Sequence, residues 1–140
     1  MEKFQELFHF IAEQGEFYHL NGVDDEQIRE AEEKLGLQFP KEYEWYLKQY
    51  GAISFYGTEW TGLGVEGPVN VVTATQQERE WAPRSFPRDC FVLDIALGDG
   101  SVVIANEEGT VYYWSNKHQE WAADTLSDYL EICRERNRHA

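Results

Sequence analysis

Apolar positions in the first third of the chain recur at helical spacing. Phe4, Leu7, Phe8 and Ile11 predict an amphipathic helix over residues 2–14, with Gly15 placed to end it. Ile28, Ala31 and Leu35 form a second stripe. Its start is well marked: Asp24 can cap the helix, Gln27 three residues on can close a capping box, and Val23 and Ile28 are spaced for a hydrophobic staple. Gly36 supplies a left-handed stop. A third helix follows Pro40, whose best place is the first helical position, where no amide bond is lost. Tyr43, Tyr46, Leu47 and Tyr50 then fall at i, i+3, i+4 and i+7, and Gly51 ends the run. Lys41 and Lys48 point away from that face, so its tyrosines read as core aromatics with polar tips, not as a platform for stacking bases. Two readings stand for Trp45: covered by the N-terminal helix, or exposed as a partner anchor.

After Ala52 the pattern changes to period two with β-branched residues. Residues 53–56, 69–75, 91–95, 102–105 and 111–114 predict strands. Gly98-Asp99-Gly100 predicts a hairpin turn and residues 106–109 a longer hairpin loop, which together give a three-stranded antiparallel meander. Residues 76–81 predict a short helix, and Pro83 and Pro87 bracket a loop. The closing helix starts with a second capping box, Thr125-Leu-Ser-Asp128, and buries Leu126, Tyr129, Leu130 and Cys133. Arg134, Arg136 and Arg138 cluster at its C-terminal end, where the helix dipole favours cations. Helices, then a sheet, then a helix predict an α+β single domain. Its mostly antiparallel central sheet of about five or six strands is flanked by N-terminal helices and a C-terminal helix.

Composition and charge narrow the function. The 140 residues suit one domain with a modest core, and no internal repeat or low-complexity linker divides them. The net charge of −14 lacks the basic footprint that phosphate neutralisation needs, so direct nucleic-acid binding is not expected. Ten acids against three bases fall between Met1 and Leu35. Such an excess favours solubility and also speeds capture of a basic partner. No apolar run is long enough to span a bilayer and the start has no secretory pattern, which makes the cytoplasm the expected location. Cys90 and Cys133 are far apart and outside any C-x-x-C pair, so both are expected reduced and buried.

Motifs for chemistry are weak. Gly62-Leu-Gly-Val-Glu-Gly67 is a literal G-x-G-x-x-G, but a pyrophosphate site needs a helix to open after it. Pro68 and the β-branched residues 69–72 argue against that helix, and the glycines read as left-handed turns between two strands. His9, His19, His118 and His139 show no metal-ligand spacing. No G-x-S-x-G elbow occurs, and Asp89 beside Cys90 would raise the thiol pKa. Glu78, Glu80 and Asp99 are no better marked as catalytic carboxylates than other acids. No cofactor, metal or catalytic residue is expected. What remains is surface character: Tyr56-Gly-Thr-Glu59-Trp60 and Glu78-Arg-Glu80-Trp81 each mix aromatics with acids, as an interface for a basic partner requires. With Glu66, these give a candidate partner-binding set of Tyr56, Glu59, Trp60, Glu66, Glu78, Glu80 and Trp81. The competing reading is that Trp60 and Trp81 cover the sheet edge and pack.

The order of these features resembles the SUKH superfamily, which includes many bacterial immunity proteins and a fungal cell-wall-synthesis regulator. The resemblance runs from Asn21-Gly22-Val23 through the Ile28/Ala31/Leu35 helix, Leu37-Gln-Phe39-Pro40, the helix of residues 43–50 and Gly51 to the Gly98-Asp99-Gly100 turn and the Thr-Leu-Ser-Asp-Tyr-Leu helix. Phe39-Pro40 stands where members often have Leu-Pro, and Gly51-Ala52 where they often have two glycines. The resemblance implies one SUKH-like domain over residues 1–140: helix and connector over 1–20, core over 21–133, and tail over 134–140. It also implies a cytoplasmic immunity protein that binds and blocks a toxin domain, often a nuclease. With the acidic surface, the expectation becomes a monomer or weak dimer that neutralises a basic toxin domain by steric and electrostatic occlusion. The alternative is a non-toxin scaffold or regulatory module of the same fold. Toxin contacts vary among members, so no site residue transfers.

Overall fold

Seven strands run antiparallel, each paired with its chain neighbour, so the order across the sheet is the order along the chain. They are β1 Tyr18–His19, β2 Ile53–Phe55, β3 Thr58–Trp60, β4 Cys90–Asp94, β5 Val102–Asn106, β6 Val111–Ser115 and β7 His118–Ala123. The helices are α1 Glu2–Glu13, α2 Asp25–Leu35, α3 Lys41–Tyr50, α4 Val71–Trp81 and α5 Leu126–Arg138. The computed structural model describes residues 1–138, the side chains of 137 and 138 excepted. The α+β class is as predicted, with seven strands instead of five or six. Residues 134–138 continue α5 and do not form a separate tail. His139 and the side chain of Arg138 lie outside the described residues.

Local signals explain the helical side. The Asp24 side chain accepts from the Gln27 amide at 2.9 Å while Gln27 Oε1 accepts from the Asp24 amide at 3.2 Å, completing the capping box. Gly36 takes φ +68° as the C-cap. Pro40 is the cap of α3 and not its first helical residue. The tyrosine face of α3 is buried, and its polar tips find partners at the end of β3. Tyr43 Oη lies 2.9 Å from Thr61 Oγ1, and Tyr46 Oη donates to the Thr61 carbonyl at 2.8 Å. Trp45 is half-buried under α1, with Phe4 and Phe8 ring centroids at 5.8 and 6.0 Å, which decides between its two readings. The start of α5 is capped by Thr125 and also from α3: Glu42 accepts from the Leu126 amide and the Ser127 hydroxyl.

The predicted strand over 69–75 is instead a 3-10 turn, Gly67–Val69, and the first half of α4. Asn70 overrides the β-branched run, because its Oδ1 accepts from the amides of Val72 and Thr73 at 2.9 and 3.1 Å. Tertiary contacts complete the override. Val71, Ala74 and Thr75 are buried, and Thr75 Oγ1 accepts from the β4 amide of Val92 at 2.9 Å. Residues 76–81 are therefore the end of a longer helix. β1, β3 and β7 lie outside the predicted strands: the first two have two and three residues, and the first four positions of β7 are exposed and mostly polar.

The sheet separates two cores. α1, α2, α3 and α5 pack on the face carrying Phe91, Leu93, Val103, Ala105 and Val111. Ala74 of α4, with Ala82 and Phe86 just beyond it, covers the opposite face at Cys90, Val92, Ile104 and Trp114. A bulge between Val92 and Asp94 turns the fully buried Asp94 carboxylate toward α5. There it accepts from Tyr129 Oη at 2.6 Å and from the Ala96 and Glu59 amides at 3.0 and 3.2 Å, and it lies 3.6 Å from Arg136 Nη2. Arg136 also donates to the Gly57 carbonyl at 3.1 Å. The C-terminal arginines thus do more than complement a dipole: Arg136 closes a buried network and Arg134 pairs with Glu131. Asp94→Asn should cost about 2–3 kcal/mol in urea unfolding, because it removes the acceptor for a buried phenol and the counter-charge of Arg136.

Candidate protein-interaction surface

Helix α4 covers β4 to β6 and stops short of β7, leaving part of the sheet face open. Pairing of Tyr112 with Trp121 and of Trp114 with Gln119 puts these four side chains on the α4 side of the sheet. Trp114 is buried, but Trp121 is 59 % exposed, its indole N–H donating to Asp124 Oδ1 at 3.1 Å. Trp81, the last residue of α4, is 67 % exposed. Between the end of α4 and the β6–β7 turn lies a groove of about 530 Å³, lined by Glu78, Trp81, Asp99, Gly100, Trp114 and the turn residues 115–117.

The groove is polar at its base and aromatic at its wall. Trp114 donates its indole N–H to Glu78 Oε1 at 3.1 Å. Burial pushes the Glu78 carboxyl above its ordinary value, and the Trp114 hydrogen bond offsets only part of that. Asp99 is held below the usual carboxylate value by hydrogen bonds to Ser101. Lys117 Nζ sits 5.3 Å from the centroid of the Trp81 ring. The result is an open site that brings together two carboxylates, an indole face and the Lys117 ammonium.

The seven sequence-predicted residues do not form one patch. Glu78 and Trp81 line the groove, and Glu80 is exposed one residue before Trp81. Glu66 is exposed ahead of α4, about 15 Å from its far end by helix rise alone. Tyr56, 44 % exposed, sits on the β2–β3 turn and hydrogen-bonds Glu16, which raises its phenol pKa. Glu59 is half-buried beside a small apolar hollow of about 210 Å³ lined by Tyr18, Leu20, Ile53 and Val65. β3 lies three strands from β6, or about 14 Å at ordinary spacing. Trp60 is not on the surface. It is fully buried, with ring centroids of Tyr46, Phe8, Tyr129 and Phe4 at 5.2 to 6.3 Å. The packing reading is right for Trp60 and wrong for Trp81. Sequence reasoning missed Trp121, Trp114 and Lys117, which only the β6–β7 pairing brings to this face.

The chemistry elsewhere is closed off. A helix does open after the glycine motif, contrary to the sequence expectation, but its first amides are occupied. Val71 donates to the Gly62 carbonyl at 2.9 Å, Val72 and Thr73 to Asn70 Oδ1, and Ala74 to the Asn70 carbonyl at 2.9 Å. A pyrophosphate would meet no free N–H there. Burial raises the thiols of Cys90 and Cys133 to about 12 and about 11, and both are free cysteines without thiolate character near neutral pH. Among the described residues, no group of three or more His, Cys, Asp or Glu could hold a metal ion, and no helix is long and apolar enough to cross a membrane.

The fold agrees with the resemblance read from the sequence, and a family match decides it: residues 1–134 match the family described as SMI1-KNR4 cell-wall, SUKH_5. The chain belongs to that family. Comparison with curated proteins finds no match. In this SUKH protein, the capping box of α2, the tyrosine face of α3 and the buried Trp60 are framework shared between the helices and the sheet. The groove at α4 and the β6–β7 turn lies on the other side of the sheet from that framework.

Proposed function

We propose that the chain is an immunity protein that works in the cytoplasm by binding, without catalysis. It would block a basic toxin domain, of nuclease type, by covering the toxin's active surface. One observation carries the reading: two large exposed indoles, Trp81 at the end of α4 and Trp121 on β7, stand on the α4 side of the sheet in a chain whose net charge is −14. Exposed tryptophans are the usual anchors of an interface, and surrounding carboxylates draw in a basic surface. The partner's on-rate is expected to fall steeply between low and physiological salt, which stopped-flow fluorescence of Trp81 would follow.

The second reading, a scaffold or regulatory module for a non-toxin partner, is favoured by the cell-wall description of the matched family. Co-expression separates the two. A gene adjoining this one that encodes a toxin with a basic C-terminal domain should arrest growth alone and permit it together with this chain. Continued arrest with the chain present and folded favours the regulatory reading.

A further inference from the structure

We propose that the groove between the end of α4 and the β6–β7 turn receives an arginine side chain of the partner, and that Lys117 is its built-in competitor. The proposal deepens the reading above and rests on it for the basic character of the partner.

The turn carries the first argument. Ser115 pairs with His118, leaving Asn116 and Lys117 as a two-residue connection with φ of +52° and +65°. Such turns favour glycine at the second position, because a side chain in the left-handed region is strained. A lysine stands there instead, and the turn delivers its ammonium to the Trp81 ring. Strain kept at a surface turn points to use of the side chain it holds.

The groove supplies the second. Glu78 spends one oxygen on the Trp114 indole, and among the described residues its Oε2 accepts no hydrogen bond. Asp99 contributes a second carboxylate to the same space, which at about 530 Å³ has room for a guanidinium and its stem. A planar guanidinium can stack on Trp81 and donate to carboxylates at once, whereas an ammonium is a single point charge. Lys117 therefore fills the cation position over the indole weakly, and an incoming arginine displaces it toward solvent.

The test is an NMR titration of the full chain with a tetra-arginine peptide, reading the indole N–H signals of Trp81 and Trp114, with tetralysine in parallel. Saturable shifts of both indoles are expected, with tighter binding of arginine than lysine. Kd should rise about ten-fold in Trp81→Ala and in Glu78→Gln, and fall about three-fold in Lys117→Gly. Silent Trp81 and Trp114 signals, equal binding of tetralysine, or an unchanged Kd in Lys117→Gly would each overturn the proposal. The titration needs no toxin. Loss of the toxin reading would appear as absent protection with the indole shifts intact, and loss of the arginine site as silent indoles with protection intact.

Discussion

Alanine at Gly62 is expected to cost about 4 kcal/mol or more, a large share of the roughly 5–15 kcal/mol that keeps a domain folded. A Cβ there would stand 1.6 Å from the Gly51 carbonyl oxygen, 2.6 Å from its carbon and 2.9 Å from the Ala52 Cβ. These are backbone and short side-chain atoms that cannot swing aside. Neither segment can retreat cheaply. The Leu63 amide donates to the same Gly51 carbonyl at 3.0 Å, and Gly62 exchanges hydrogen bonds with Val69 and Val71 at 2.8 and 2.9 Å. Gly51 is itself confined, since a Cβ on it would meet the Asn21 carbonyl oxygen at 2.3 Å. Gly57 is the control: it has φ +64° but open space around its Cβ position, so Gly57→Ala should cost about 1 kcal/mol of conformational strain alone. Urea unfolding followed by circular dichroism compares the two. Equal costs would show that the close approach of α3's end to the glycine loop is wrong.

Trp60→Ala should destabilise the domain by about 4 kcal/mol, the range for deleting a buried indole from a packed core. Its ring is shared by α1, α3 and α5 through Phe4, Phe8, Tyr46 and Tyr129, so the cavity would open where three helices meet the sheet. Trp81→Ala removes as large a side chain from an exposed position, and its unfolding free energy in urea should stay within about 0.5 kcal/mol of wild type. A Trp60→Ala protein with a wild-type midpoint would contradict the packing assigned to it. A Trp81→Ala protein that unfolds would mean that Trp81 is framework as well.

The parts of the fold legible in sequence are those set by neighbours in the chain. The Asp24 capping box, the Gly36 stop and the tyrosine face of α3 depend on residues within a few positions of each other, and all are as read. The strand predicted over 69–75 failed because β-branched content outweighed a signal that was present. Asn70, inside that stretch, is a strong helix cap, and the burial of Val71 and the hydrogen bond of Thr75 to β4 did the rest. β7 was invisible because an exposed edge strand has no buried face to impose alternation. The same logic divides the site. Glu78, Glu80 and Trp81 could be noticed as one acidic, aromatic stretch. The groove joins residues 78, 99, 114 and 117, which only strand pairing and the placement of α4 bring together. Trp60 and Trp81 have similar sequence surroundings and opposite fates, because Trp60 lies on the β3 face toward the helices and Trp81 at a helix end beyond the sheet's cover.

The proposal that this chain binds a basic toxin domain through Trp81 and Trp121 is tested most directly by calorimetric titration of the toxin domain encoded beside its gene into the Trp81→Ala/Trp121→Ala double variant. Its Kd should rise by about 100-fold, or roughly 2.7 kcal/mol, with circular dichroism and urea midpoint unchanged. A folded double variant that binds the toxin domain with the wild-type Kd would contradict it.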